Sequence, residues 1–479
     1  MEQTIDPIGG RAVKSGVWYT ISSILSKSII FLTTPIFTRI MSVEDFGVAS
    51  TFTSWYLVLG VIFSLNLMYS IGRAKLDFPG KLEEYTGSMI VLATTFSLIV
   101  FGASFFFQKQ VAGFLNMNWT LAVLMMIYLL ASSVVTFKQA SIRYQYQYKG
   151  NVAISLIISV GSVACSFALF AIPTLERYLA KIIGSIIPSV FLALVFTVQG
   201  IARKNYKISG EYWKYGLIIS VPLIFHSLSI NLLSQIDRVL ISRFCGDGDA
   251  GIYSLAYQYT HLVFIVLSAV NEAWLPWFHD TLNAGNTEAV KKNVQKLIVF
   301  GGFIGFGCVS LAPEIMAVLG TEAYTPGLRV VAPLMVAILC GFVFQQYEHV
   351  ELHFKKTWYI SLGTGIAAAV NYALNWWLIP KYGFVAAAYT TMASYVLVTV
   401  IHWFINRVVL KKHIYQDMRM FFILFAFSVV CLAMPLLYER VIVRFAVLLA
   451  ACAAYLFGSR KMIIGILANR KKALKPKSV

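Results

Sequence analysis

The chain has 479 residues, 58% hydrophobic and 13% charged, with a formal net charge of +18 and a mean hydropathy of +0.74. A soluble domain carries roughly 25% charged residues, so this chain lacks the polar surface to face water all round. A soluble fold is excluded on that ground, and without a basic helix, zinc spacing or aromatic-basic sheet motif the positive charge does not point to nucleic acid.

The polar start "MEQTIDPIGGRAVKSG" leads into an apolar run too long for the core of a signal peptide, which reads as a retained first span. Counting runs of about 20 apolar residues, spans are expected near 17–40, 47–71, 86–107, 119–137, 151–172 and 179–199. A second series follows near 214–242, 250–278, 293–319, 328–348, 358–379 and 384–406. Two more lie near 419–438 and 441–457, separated only by "YERV". The expected fold is an all-α integral membrane protein of about 14 transmembrane helices, arranged as two pseudo-symmetric lobes around a central cavity. The corresponding divisions are an N-terminal lobe over 1–205, a C-terminal lobe over 206–406, and two extra spans with a basic tail over 407–479.

About 28 of the 39 Lys and Arg fall in segments on the side of the termini, which predicts that both termini are cytoplasmic. All connecting loops are short, so neither side offers room for a soluble catalytic domain. The six cysteines are scattered and form no CxxC, which argues against a disulfide framework or a metal centre. "EHVELHF" (348–354) has helical His spacing, but it falls at a cytoplasmic span end and reads as a solvated turn rather than a metal site.

The chain punctuates itself twice. "LTTPIFTRIMSVEDFG" (32–47) and "LISRFCGDGDAG" (240–251) each run from arginine through acids to glycine, Arg39 to Gly47 and Arg243 to Gly251. The acids and glycine are expected to make the turn into the following span. The same register aligns the helices before the two marks. Thr20, Ser23, Lys27, Thr34 and Thr38 share one face of the first span, and Ser220, Ser227, Asn231, Gln235, Arg238 and Ser242 share one face of the seventh. Serine and threonine stripes alone often only join helices. A lysine in mid-span and an arginine near a span's end are costly against lipid, so Lys27 and Arg238 point these stripes toward a polar path between parallel repeats. Arg39 and Arg243, at the outer margin, can snorkel to headgroups.

"PIFTRIMSVEDFGVAST", "NLLSQIDRVLISRFCGDGDAGIYSLAYQY" and "NWWLIPKYGFVAAAYTTMASY" resemble the polysaccharide-flippase, Wzx-type branch of the MOP exporter superfamily, over nearly the whole chain. The resemblance implies movement of an undecaprenyl-diphosphate-linked oligosaccharide from the cytoplasmic to the outer leaflet of a bacterial inner membrane. That cargo would serve surface polysaccharide such as O-antigen lipopolysaccharide, capsule or exopolysaccharide. Expected partners are the lipid-linked oligosaccharide, membrane lipids, and polysaccharide polymerase and chain-length machinery. A diphosphate headgroup needs cations to replace its hydration, and Lys27, Arg238 and Arg73 are placed to supply them, with Ser23, Thr34, Arg39, Ser227, Asn231 and Gln235 along the path.

The nearest rival is a MATE-like ion-coupled multidrug exporter, whose cationic substrates would favour acids where this chain has Lys27 and Arg238. An enzyme acting on lipid-linked glycans would need an outer platform that the short loops do not provide. No P-loop is present, so no cofactor is expected and a proton or sodium gradient is the expected drive. Glu272, Asp237 and His261 are the candidates for ion coupling, and a neighbouring cation is the expected partner of Asp237.

Overall fold

A backbone in hydrocarbon must satisfy its amide and carbonyl groups within its own segment, so each apolar run becomes a helix. That is the architecture in the computed structural model, which describes the backbone of residues 7–473 and the side chains of 28–458, with those of Trp18, Ser22, Leu25, Ser26 and Arg460. The first half comprises α1 (Pro7–Ile40), α2 (Val43–Phe63), α3 (Met68–Asp77), α4 (Leu82–Phe106), α5 (Gln108–Leu115), α6 (Trp119–Tyr144), α7 (Tyr148–Phe170) and α8 (Arg177–Ala202). The second comprises α9 (Gly210–Cys245), α10 (Asp247–Asn283), α11 (Thr287–Ser310), α12 (Ala312–Leu319), α13 (Leu328–His353), α14 (Thr357–Tyr382) and α15 (Phe384–Phe404). Then come α16 (Asp417–Ala433) and α17 (Val441–Ala473).

Among the described residues, 12 helical segments are long and apolar enough to cross a membrane, α2 and α3 counting as one. The 26-residue α14, whose run is interrupted by Asn371 and Asn375, and α1, apolar over Ser28–Ile40, complete the set. Every span expected from the sequence is therefore a helix, the pair around "YERV" included. The basic tail beyond 473 lies outside the described residues.

The two halves repeat one packing scheme. α1 lies on α7 as α9 lies on α14, and α7 on α8 as α14 on α15. α6 meets α8 and α2 as α13 meets α15 and α10, while α4 and α11 cover α6 and α13. The halves join mainly where α2 packs against α9 and α10. α16 rests on α11 and α13, and α17 touches α11. Arg444 of α17 is buried and pairs with Glu314 of α12, which ties this peripheral helix to the second half.

Two local features depart from the sequence reading. The second span is broken between α2 and α3, where Leu65 and Asn66 take left-handed φ values of 48° and 54°. The repeated punctuation also works differently from a turn. Its acids do cap helices: Ser42 and Asp45 form a reciprocal capping box on α2, and Asp247 and Asp249 lie in the first turn of α10. Gly47 and Gly251, however, lie inside α2 and α10, and both are buried. A Cβ on Gly47 would stand 1.8 Å from the Asp247 carbonyl oxygen, and one on Gly251 would stand 2.2 Å from that of Val43. The repeated mark is thus the point where its two copies meet, backbone against backbone.

Candidate functional site at the seam between the halves

The seam begins at this glycine contact, at the end of the molecule where α1 finishes. Beside it, Thr38 donates to the Leu319 carbonyl at 2.6 Å and Arg39 to that of Val318 at 3.1 Å, so the end of α1 satisfies the last carbonyls of α12. Arg39 is otherwise exposed.

One turn further in, hydrogen bonds cross between the halves. Thr34 of α1 donates to Gln258 of α10 at 3.1 Å, and Ser54 of α2 donates to Gln235 of α9 at 3.2 Å. Gln235 Oε1 also accepts from Arg238 at 2.6 Å, and the Arg238 guanidinium lies 4.0 Å from the centre of the Tyr257 ring. Arg238 is buried and makes no ion pair among the described residues. Lower on the same face, Ser227 accepts from Asn66 at 3.0 Å, and Asn231 donates to the Ser227 carbonyl at 2.8 Å. Thr34 of α1 therefore bonds the second span of the opposite half, and Gln235 and Ser227 of α9 bond that of the first. The side chains of Ser23 and Lys27 lie outside the described residues.

Asp237 turns away from the seam into the second half. It does not pair with a neighbouring cation; its carboxylate accepts instead from Tyr253 and Thr391 at 2.6 Å and from Asn375 at 2.7 Å. Thr390 donates to Asn375, whose amide also reaches Asn371 at 3.1 Å. Neutral donors thus satisfy both oxygens of Asp237 in the interior, and the charge of the adjacent Arg238 also acts on the group.

The remaining candidates are dispersed. Glu272 is exposed on α10, facing away from the buried Asn271. His261 stacks between Tyr257 and Phe264, at centroid distances of 5.7 and 4.8 Å. Arg73 is exposed on α3 and pairs with Asp77 at 3.0 Å, far down the break in the second span. Sequence reasoning passed over Ser54, Asn66, Tyr253, Asn371, Asn375, Thr390 and Thr391. A lone Asn in an apolar run was the available signal for Asn66, and the Asn371–Asn375 spacing of one helical turn was the signal in α14.

The fold and seam define a class: a multi-pass membrane protein of two repeated halves joined along a polar, arginine-bearing face. Residues 12–282 match the family model described as polysaccharide biosynthesis protein. The chain belongs to that family, the polysaccharide-flippase branch of the MOP superfamily. An uncharacterized membrane protein of Methanocaldococcus jannaschii is 21% identical over 494 residues, covering 94% of each chain. A probable low-salt glycan biosynthesis flippase of Haloferax volcanii is 21% identical over 407 residues, covering 81% of this chain and 82% of its own. Among solved structures, a lipid II flippase in an inward closed conformation is similar at a TM-score of 0.66 and 14% identity, over 93% of this chain and 100% of that one. An inward-facing multidrug resistance MATE family transporter is similar at a TM-score of 0.61 and 10% identity, over 80% and 94%.

Proposed function

We propose that the chain is a flippase that carries a lipid-diphosphate-linked oligosaccharide from the cytoplasmic to the outer leaflet, for assembly of a surface polysaccharide. The observation that carries the reading is Arg238, a buried cation at the seam that is positioned by Gln235 and Tyr257 and makes no ion pair with a carboxylate within 4 Å among the described residues. An anionic headgroup can use such a cation; a cationic drug would meet repulsion. Lys27 is proposed from its place in the sequence as the matching cation of the first half. Movement follows from loosening the seam at one end while the other closes. A proton or sodium gradient is the proposed drive, with Asp237, Glu272 and His261 as the groups that respond to the ion.

Arg238→Ala removes one phosphate contact worth about 1.5–3 kcal/mol, roughly a tenfold to hundredfold loss of affinity for the cargo. The measurement is surface-polysaccharide display in a strain lacking its own flippase, at matched membrane levels of each variant. Arg238→Lys should retain more display than Arg238→Ala, because the charge survives although the planar fork is lost. Wild-type display by Arg238→Ala, alone and combined with Lys27→Ala, would overturn the cationic path.

The proposed membrane is the bacterial inner membrane, with both termini in the cytoplasm. A phosphatase reporter active only outside the membrane, fused after residue 479, should stay dark, whereas one fused in the loop after α5 should be active. The opposite pattern inverts the topology.

A further inference from the structure

"EHVELHF" reads from its sequence as a solvated turn, but α13 carries it inside. His349 is buried and bonds Asn271 at 2.9 Å, while Glu351 is buried completely. The side chains of Glu351 and His402 of α15 are both 0% exposed, with His402 Nδ1 2.8 Å from Glu351 Oε1. The same oxygen accepts from Asn406 Nδ2 at 2.8 Å. Asn406 reaches it because the chain after α15 widens into one π-helical stretch, Ile405–Val409, in which Leu410 N–H bonds the Ile405 carbonyl at 2.8 Å. Single π turns of this kind cluster at functional sites.

Two proton-accepting atoms of this group are left over. Glu351 Oε2 and His402 Nε2 are buried and have no hydrogen-bond partner among the described residues. Gly363 of α14 stands opposite the ring, where a Cβ would come within 2.5 Å of Nε2. Any larger residue at 363 would strike the imidazole, so glycine is what lets α14 close over this edge of His402.

The charges around the pair do not neutralise it. Glu348, on the same helix, and His226 of α9 both lie within electrostatic range of His402, and both are half-buried. α14 offers Thr364, 3.5 Å from His226 Nδ1, and the Phe344 ring lies 4.8 Å from the imidazole. Beyond Asn406, Arg407 and Asp417 pair with each other at 3.6 Å, and Tyr347 donates to Asp417 at 3.0 Å. With a carboxylate and a neutral imidazole the pair carries one net negative charge. One added proton makes it neutral overall without disturbing the Nδ1–Oε1 contact.

We propose that Glu351 and His402 form a proton-binding site in the second half, distinct from Asp237. A proton delivered by water adds to Nε2 of neutral His402, whose Nδ1–H stays bonded to Glu351 Oε1; release is the reverse step. The use of this proton in a transport cycle rests on the flippase reading; the binding itself does not.

The test is proton uptake by the purified full-length chain, without substrate, in weakly buffered detergent solution titrated from about pH 9 to about pH 5. Glu351→Gln, and the double change Glu351→Gln with His402→Gln, should each take up about one proton fewer per chain than the wild type. Equal uptake by wild type and both variants would mean a structural pair that never exchanges its proton, and overturns the proposal. Should the variants fail to yield monodisperse protein, the wild type in native membrane vesicles decides. Diethyl pyrocarbonate should modify His402, read by peptide mass spectrometry, faster at about pH 8 than at about pH 6. A His402 that stays unmodified at both, while the denatured chain reacts, overturns the site. Neither readout depends on cargo, so failure here leaves the Arg238 result standing, and failure of that result leaves this one standing.

Discussion

Gly47→Val and Gly251→Val are each expected to cut surface-polysaccharide display by roughly fivefold to 150-fold, the range of a conformational equilibrium shifted by about 1–3 kcal/mol. The atoms in the way of a new Cβ are main-chain: the Asp247 carbonyl oxygen at 1.8 Å for Gly47, and that of Val43 at 2.2 Å for Gly251. No rotamer change relieves such a clash, so α2 and α10 must separate at the end where the halves touch. Under the flippase reading that end faces outward, and separation favours the outward-open state over the closed one. The accompanying change is specific. A cysteine at Ser54, in a background lacking the six native cysteines, should react faster with a membrane-impermeant thiol reagent added outside intact cells. Gly102→Ala is the matched control, since a Cβ there meets nothing within 4 Å. Unchanged labelling at Ser54 in both valine variants, at equal protein levels, would show that the glycine contact is not an outer closure.

Much of this arrangement is legible in the sequence because the membrane removes alternatives. An apolar run of span length has to be a helix in hydrocarbon, so the membrane-length helices and the repeat follow from hydropathy and from a shared register. Arg238 stands out for the same reason: a charge in an apolar helix needs a purpose. Periodicity gives the face a residue occupies but not the neighbour that face meets. That is why the faces of Thr34 on α1 and of Ser227 and Gln235 on α9 are legible, while their partners Gln258, Ser54 and Asn66 on the opposite half are not. Gly47 and Gly251 read as turn residues because glycine serves both turns and close approach, and only the packing of α2 on α10 distinguishes them. Glu351 read as solvated because its charged neighbours suggest a loop, whereas His402 and Asn406, about fifty residues away, supply the environment that lets it be buried.

The network around Asp237 separates structure from coupling through two substitutions at one position. Asp237→Ala removes the acceptor of three buried donors, Tyr253 Oη, Thr391 Oγ1 and Asn375 Nδ2. An orphaned buried donor costs about 1–3 kcal/mol, and rotation of the two hydroxyls recovers part of that, so a net destabilisation of about 3–5 kcal/mol is expected. Steady-state protein should fall sharply, and the remainder should unfold at lower temperature in detergent. Asp237→Asn keeps the size and one carbonyl acceptor, while Tyr253 and Thr391 can turn to accept from its amide. It should accumulate near the wild-type level, with a destabilisation of about 1 kcal/mol, the worth of a single rearranged hydrogen bond. What it loses is the negative charge. If Asp237 responds to the coupling ion, Asp237→Asn should display polysaccharide at a reduced rate that no longer changes when the proton or sodium gradient is collapsed by an ionophore. The wild type, run alongside, should lose display under the same treatment. An Asp237→Asn chain that is as abundant as wild type, as active and as sensitive to the ionophore would confine Asp237 to holding α9, α10, α14 and α15 together.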